Sequence, residues 1–327
     1  MSLYPFIDVT VNGKPVSGLF YDRLVSATIH DAPGQEADNC SFRFDDADNG
    51  VPIPNKGAEI FVSFGFKDGF GSATSQKMGR FTYEKTSVEG GDGGEFLTIS
   101  GRSADMRSDM KEQYSEHFED KTVGDIVGEL AKRHKYDAKV DDDLASIKIP
   151  YIARYERGTA DFLTHLADRF GALFSPKGGK FVFVRRGILA PVTISKFDCE
   201  GWSFDIEPRP LYGKVEAGWY DQTKNQVLFE SAATGLDGST KRIRRVLPTK
   251  EEAAAAARSE GQRLGRATGS GSLTLAGRPD IMADAPIATQ DFRAECNGLW
   301  RCAGVDHTYD ETYMTTIEIE APEEGKT

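Results

Sequence analysis

Apolar residues recur at every second position through much of the first hundred residues. Ile7, Val9 and Val11 form one series, followed by Val25, Ala27 and Ile29, then Cys40, Phe42 and Phe44, then Ile60, Val62, Phe64 and Phe66. A period of two turns one face of a strand toward a core and the other toward water. Between the series lie turn formers: Asn12-Gly13, Pro33-Gly34 and Asp48-Asn49-Gly50. The run Glu89-Gly90-Gly91-Asp92-Gly93-Gly94 links two strands, the second over Phe96–Ser100. Short strands parted by frequent turns predict a barrel or sandwich over residues 1–110.

The period changes near residue 111. Val123, Ile126, Val127, Leu130 and Ala131 share one helical face. Thr122 with Asp125 three residues later predicts a capping box, with Asp in place of the preferred Glu or Gln. A second helix is predicted after Gly158-Thr159, with Phe162, Leu163, Leu166, Ala167 and Phe170 on its apolar face and Gly171 at its C-terminal cap. Ile147–Tyr155 between the helices reads as a strand. After them Leu173-Phe174, a turn at Pro176-Lys177-Gly178-Gly179, and Phe181–Val184 read as a hairpin. Residues 111–188 therefore form a small α+β module in this reading.

Strands return from about residue 190. Val192 and Ile194 open the region, Val215–Trp219 and Gln226–Phe229 form a pair, and Ser272–Leu275, Ile287–Thr289, Trp300–Val305 and Met314–Glu320 follow. One helix, over 249–266, interrupts them. Thr249 caps it, Glu252 completes a capping box, and Ala253–Ala257 give it a face small enough for close backbone approach. The predicted fold class is mainly β with an α+β insert, the outer β regions being 1–110 and 189–327.

At roughly 100–200 residues per domain, 327 residues suggest two or three domains. No apolar run approaches the ~18 residues of a membrane span. Met1-Ser2-Leu3-Tyr4-Pro5 lacks the pattern of a signal peptide, so the chain is expected in the cytoplasm until it joins an assembly. A net charge of −11 argues against a protein whose task is gripping nucleic acid, which needs clustered Lys and Arg.

Three stretches resemble the phage late control gene D protein family. They are Thr122-Val123-Gly124-Asp125-Ile126-Val127, Tyr155-Glu156-Arg157-Gly158-Thr159-Ala160-Asp161-Phe162-Leu163, and Leu166-Ala167-Asp168-Arg169-Phe170-Gly171-Ala172. The last third agrees, through Gly271-Ser272-Leu273-Thr274-Leu275-Ala276-Gly277-Arg278-Pro279, then Trp300, Val305-Asp306-His307 and Thr312-Tyr313-Met314-Thr315-Thr316. The similarity is colinear over most of the chain. It implies a baseplate hub subunit of a contractile tail, similar to the N-terminal part of type VI secretion spike proteins, with two tail-tube-like β-barrel domains. Three subunits would then form a ring of six barrels, a homotrimer joining the tail tube protein to a trimeric tail spike protein among other baseplate proteins. DNA would pass its lumen without specific binding, and the virion tail baseplate would be its final location.

The residues offer little chemistry to set against a structural role, and no catalytic, cofactor-binding or metal residue is nominated. His307 lacks a visible nucleophile or acid partner. His30, His117, His134 and His165 are scattered. Asp141-Asp142-Asp143 lacks the alternation, Gly and distal Glu of a calcium loop. Adjacency of Glu116, Glu119 and Asp120 carries no weight as a glycosidase pair. Cys40, Cys199, Cys296 and Cys302 form no Cys-x-x-Cys pair and read as structural. Gly65-Phe66-Lys67-Asp68-Gly69-Phe70-Gly71 lacks phosphate-loop spacing and reads as a barrel-rim loop. Lys241-Arg242-Ile243-Arg244-Arg245 is either a contact for an acidic partner or a strand edge guarded by charge, the second being preferred. The rival functions are a tail-tip peptidoglycan hydrolase and a cell-wall-binding module built on 111–188.

Overall fold

The computed structural model describes residues 3–32, 38–68, 73–91, 93–103, 108–177, 180–185, 190–207 and 212–322. The turn at Pro33-Gly34, residues Gly69–Gly71 of the glycine-rich stretch, Gly178-Gly179, the 188/189 boundary and the acidic residues after Pro322 lie outside them.

The chain opens with β1 (Leu3–Val11), the short β2 (Lys14–Pro15), α1 (Gly18–Arg23), β3 (Leu24–Asp31), β4 (Asn39–Asp45), β5 (Glu59–Asp68), β6 (Ala73–Gly91) and β7 (Gly94–Ser103). These strands pair in the order β1-β5-β6-β7-β4-β3 and wrap around a core of Val9, Ile29, Phe42, Phe44, Phe64 and Phe81. The alternation explains the wrapping, since every second residue of β4 (Cys40, Phe42, Phe44) and of β5 (Ile60, Val62, Phe64) is buried. Val25 departs from expectation. A bulge between Leu24 and Ser26 interrupts the β3–β4 register, Leu24 packs against the core, and Val25 is exposed.

The insert follows: β8 (Tyr114–Thr122), α2 (Val123–Arg133), β9 (Asp137–Val140), α3 (Asp142–Ala145), β10 (Lys148–Arg157), α4 (Thr159–Arg169), β11 (Ala172–Lys177) and β12 (Lys180–Arg185). β8 pairs with β10, and β11-β12-β9 form a second small sheet. The capping box on α2 is present: the Asp125 amide donates to Thr122 Oγ1 at 3.1 Å and the Thr122 amide to Asp125 Oδ2 at 2.9 Å. Gly171 follows α4 at φ 63°, the left-handed cap expected of it. Both helices bury their apolar faces in one core with Phe118, Phe174, Phe181 and Phe183, and Met110 belongs to that core.

The last part holds β13 (Val192–Ser195), β14 (Cys199–Ile206), β15 (Tyr212–Asp221), β16 (Gln226–Ala233), β17 (Ser239–Leu247), α5 (Lys250–Arg266), β18 (Gly269–Ala276), β19 (Pro286–Gln290), β20 (Gly298–Tyr309) and β21 (Tyr313–Glu320). Six of these strands pair in the order β13-β19-β20-β21-β18-β14. That order repeats the first unit strand for strand. The main difference is that β13 lies parallel to β19 whereas β1 lies antiparallel to β5. The predicted pair of Val215–Trp219 with Gln226–Phe229 exists, with Gly218 opposite Phe229. It belongs, however, to a separate three-stranded sheet, β16-β15-β17, whose core is shared with α5. This sheet enters at the connection between β14 and β18, where the first unit has only the short β3–β4 link.

β20 pairs antiparallel with β3, so both units share one 13-stranded sheet. Trp300 on β20 is the largest fully buried side chain of the molecule, set against Phe204 with its indole N–H donating to the Cys296 carbonyl at 2.8 Å. Trp300→Asp leaves a cavity and an unpaired carboxylate, a cost above the roughly 3–5 kcal/mol typical of Trp→Ala. The variant is expected to lose its near-UV circular dichroism and to fail in assembly; a native spectrum with intact assembly would contradict this.

Candidate assembly surfaces

The first candidate surface is the seam where β20 meets β3. Five residue pairs join the units, from Val305 opposite Asp31 to Tyr309 opposite Ala27. His30 Nδ1 lies 2.8 Å from Asp306 Oδ1 on one face. On the other face His307 is 1% exposed, its Nδ1 lying 3.0 Å from Tyr313 Oη and 3.2 Å from Thr315 Oγ1. Phe64 and Phe66 of the first unit pack on Tyr313 of the second, at ring centroid distances of 4.9 and 5.6 Å. Burial pulls the His307 imidazole down to about 4, so it is neutral at pH 7. Its ring nitrogen meets hydroxyls, as befits a group that fastens two units.

The second surface is basic. Lys241, Arg242, Arg244 and Arg245 on β17 face a groove with Arg169 of α4 and with Arg263 and Arg266 of α5. β17 is an edge strand of its sheet. Lys241 pairs with Glu260 at 2.6 Å and Arg242 with Glu216 at 2.8 Å, as a charge-guarded edge requires. Arg169, which lines this groove, is ion-paired with Glu252, whose side chain is 1% exposed. The expected capping box on α5 is therefore half made. The Glu252 amide donates to Thr249 Oγ1 at 3.2 Å, but the Glu252 carboxylate turns inward to Arg169, tying α5 to the insert.

The third surface consists of two open strand edges. Among the described residues β14 has a strand neighbour, β18, on one side only. β6 leaves β5 after Tyr83, and beyond it no strand neighbour lies on its second side among the described residues. Val88 on β6 is 66% exposed and Trp202 on β14 is 47% exposed. Sequence reading passes over both edges. Thr86–Gly90 carries one apolar residue in a polar setting, and no local pattern shows that a strand lacks a neighbour.

The other sequence candidates fall elsewhere. His134 is buried with Nε2 2.8 Å from Thr159 Oγ1, while His117 and His165 lie on the surface beside Glu119 and Asp161. Glu116 is held by Arg133 at 2.8 Å and by the buried Arg154 at 3.0 Å, and the Arg133 hydrogen bond leads in lowering its pKa. It is thus a carboxylate locked between arginines. Asp141 precedes α3 and accepts from the Arg185 amide at 2.8 Å. Gly65–Asp68 are part of β5 rather than a loop. Burial pushes the thiols of Cys40 and Cys302 up to about 12, so both are inert at neutral pH. Among the described residues no group of three or more His, Cys, Asp and Glu is placed to hold a metal ion, and no helix is long and apolar enough to cross a membrane.

No family model matches the chain. A curated relative, the probable baseplate hub protein of Escherichia phage 186, is 30% identical over an alignment of 370 positions that covers 98% of this chain and 93% of the relative. Among solved structures, the 43 kDa tail protein of prophage MuSo2 from Shewanella oneidensis has the same fold, with a TM-score of 0.71 at 14% identity, covering 98% of this chain and 99% of that one. An E. coli type VI secretion component, described as similar in structure to the T4 tail proteins gp27 and gp5, matches with a TM-score of 0.58 at 12% identity over 98% of this chain and 78% of its own.

Two consequences are testable. The folded pKa of His307 lies below the unfolded value near 6.5, so the unfolded chain binds this proton more readily. Its contribution is complete above pH ~6.5 and is lost as pH falls toward 4, by up to about 3 kcal/mol. His307→Gln should flatten the melting temperature between pH 6.5 and 4 relative to the parent; parallel profiles would contradict this. Glu252→Gln leaves the Arg169 guanidinium buried without its counter-charge, at a cost of roughly 3–5 kcal/mol. Urea unfolding should show a clearly lower midpoint, and an unchanged midpoint would show the pair to be dispensable.

Proposed function

This chain belongs to the family of phage baseplate hub proteins, and from that premise we propose that three copies close into a ring of six barrel-like units joining a contractile tail's tube to its spike. The protein is a structural component of the tail baseplate. The observation that carries the proposal is the repeat of one strand order within one chain, fused through the β20–β3 seam. A six-fold tube ends on six similar units, and a three-fold spike begins on three chains. A chain with two equivalent units satisfies both symmetries with a single heterologous contact that closes after three copies.

In this reading the parts are 1–110 and 189–327, which build the ring, and 111–188, which together with the β15–β17 sheet is free to meet other baseplate proteins. None of their three smaller sheets adds a strand to the 13-stranded sheet. The net charge of −11 suits a lumen that DNA crosses without being retained. Assembly takes place in the host cytoplasm before the particle is complete. The role is mechanical, with no catalytic step.

Light scattering and electron microscopy test the proposal. The full chain should reach about 108 kDa, three times the 35.9 kDa of one copy, and show a threefold ring with a central hole. A chain that stays monomeric as its concentration is raised would refute the closure. Clearing of a cell-wall suspension by the purified chain would instead favour the hydrolase reading.

A further inference from the structure

The seam inside the chain carries the information for the seam between chains. In the first unit β6 departs from β5 just after Tyr83, whose amide donates to the Ala58 carbonyl at 2.9 Å. In the second unit β20 departs from β19 just after Cys302, whose amide donates to the Ala285 carbonyl at 2.9 Å. A register shift follows each departure, between Tyr83 and Lys85 and between Cys302 and Gly304. Beyond it Thr86 lies opposite Ile99 as Val305 lies opposite Ile317. Thr86–Gly90 are thus the counterparts of Val305–Tyr309, the five residues by which β20 grips β3.

The counterpart of β3 is β14. Each follows directly on a short helix, Gly18–Arg23 in one case and Lys196–Asp198 in the other. Each carries its register shift at the same place, between Leu24 and Ser26 and between Cys199 and Gly201. Ala27 lies opposite Phe42 as Trp202 lies opposite Leu273. The counterparts of Ala27–Asp31 are therefore Trp202–Ile206. Within one copy these two halves of a seam, on β6 and on β14, both lie at open edges among the described residues.

We propose that β6 of one copy pairs antiparallel with β14 of a second copy, with Thr86 opposite Ile206, Val88 opposite Phe204 and Gly90 opposite Trp202. The proposal rests on the three-copy reading and adds the surface and the register by which it closes. The pairing satisfies both of these edges and covers Val88 and Trp202, the most exposed apolar side chains of the two segments. Gly90 leaves the indole room across the strand. Ser87 meets Asp205 and Glu89 meets Ser203, so no two carboxylates face each other. A slip of one residue would turn Val88 and Phe204 to opposite faces.

Cysteine cross-linking reads the register. In a Cys199→Ser, Cys296→Ser background, Val88→Cys combined with Phe204→Cys should give covalent dimers and trimers with a short bis-maleimide or on oxidation. Val88→Cys with Ser203→Cys or Asp205→Cys should link about tenfold less, because those side chains project from the other face. A trimer by light scattering that links no better in the first pair than in the slipped pairs would overturn this register and leave the ring standing. A chain monomeric at every concentration would overturn both. Val88→Lys, at an exposed position, should keep the parent's far-UV circular dichroism and lose the trimer; a trimer of unchanged stability in that variant would count against the pairing.

Discussion

The pairing of β20 with β3 is the constraint on which the remaining architecture rests. Without it the chain would hold two barrel-like units on a long tether, each with another exposed edge. With it, two strands that would otherwise present unpaired amides satisfy each other, and the relative orientation of the units is set by ladder hydrogen bonds rather than by a linker. Side chains reinforce the ladder. Tyr313 reaches from the second unit into the aromatic residues of the first, and its approach leaves no room at Gly277, where an added Cβ would lie 2.0 Å from the tyrosine ring. The proposed ring of rigid subunits closes only if the angle inside each subunit is fixed, and this seam fixes it.

Much of the local structure is legible from residues alone, because it depends on short-range patterns. Period-two series place β1, β4 and β5, and apolar helical faces with Thr122 and Gly171 at their ends place α2 and α4. What escapes is whatever depends on a distant partner. β8 runs Tyr114-Ser115-Glu116-His117-Phe118-Glu119-Asp120-Lys121-Thr122 and buries only Phe118, so it has no alternating pattern to find. It is a strand because β10 lies beside it and Arg154 bridges the two through Glu116. Val25 matches the period and is exposed, since a bulge resets the phase of β3. Glu252 has the spacing of a capping residue, but the buried Arg169 is a stronger attraction than one backbone amide.

The candidate surfaces divide in the same way. The basic cluster on β17 is visible as a string of five residues. Its character as a guarded edge depends on Glu216 and Glu260, which come from another strand and from a helix. Resemblance brings out the hub role because it compares whole orders of segments, and the two-unit plan is present in that order. The open edges are invisible at every level short of the sheet, since an edge is defined by a neighbour that is missing.

Comparison of equivalent positions shows how a repeated unit can serve two kinds of seam. The position occupied by His307 inside the chain is occupied by Val88 at the open edge. The internal seam is made once, during folding, and can afford a buried imidazole that must find two hydroxyl partners, since both come from the adjacent β21. In the proposed pairing the open edge stays in water until another copy arrives, and there a valine carries no polar group whose desolvation would oppose contact. The same difference separates their response to acid. Protonation works against the seam within a chain, where His307 is held neutral, and finds no imidazole at Val88. The two seams share a backbone plan, while their side chains fit one to folding and the other to association.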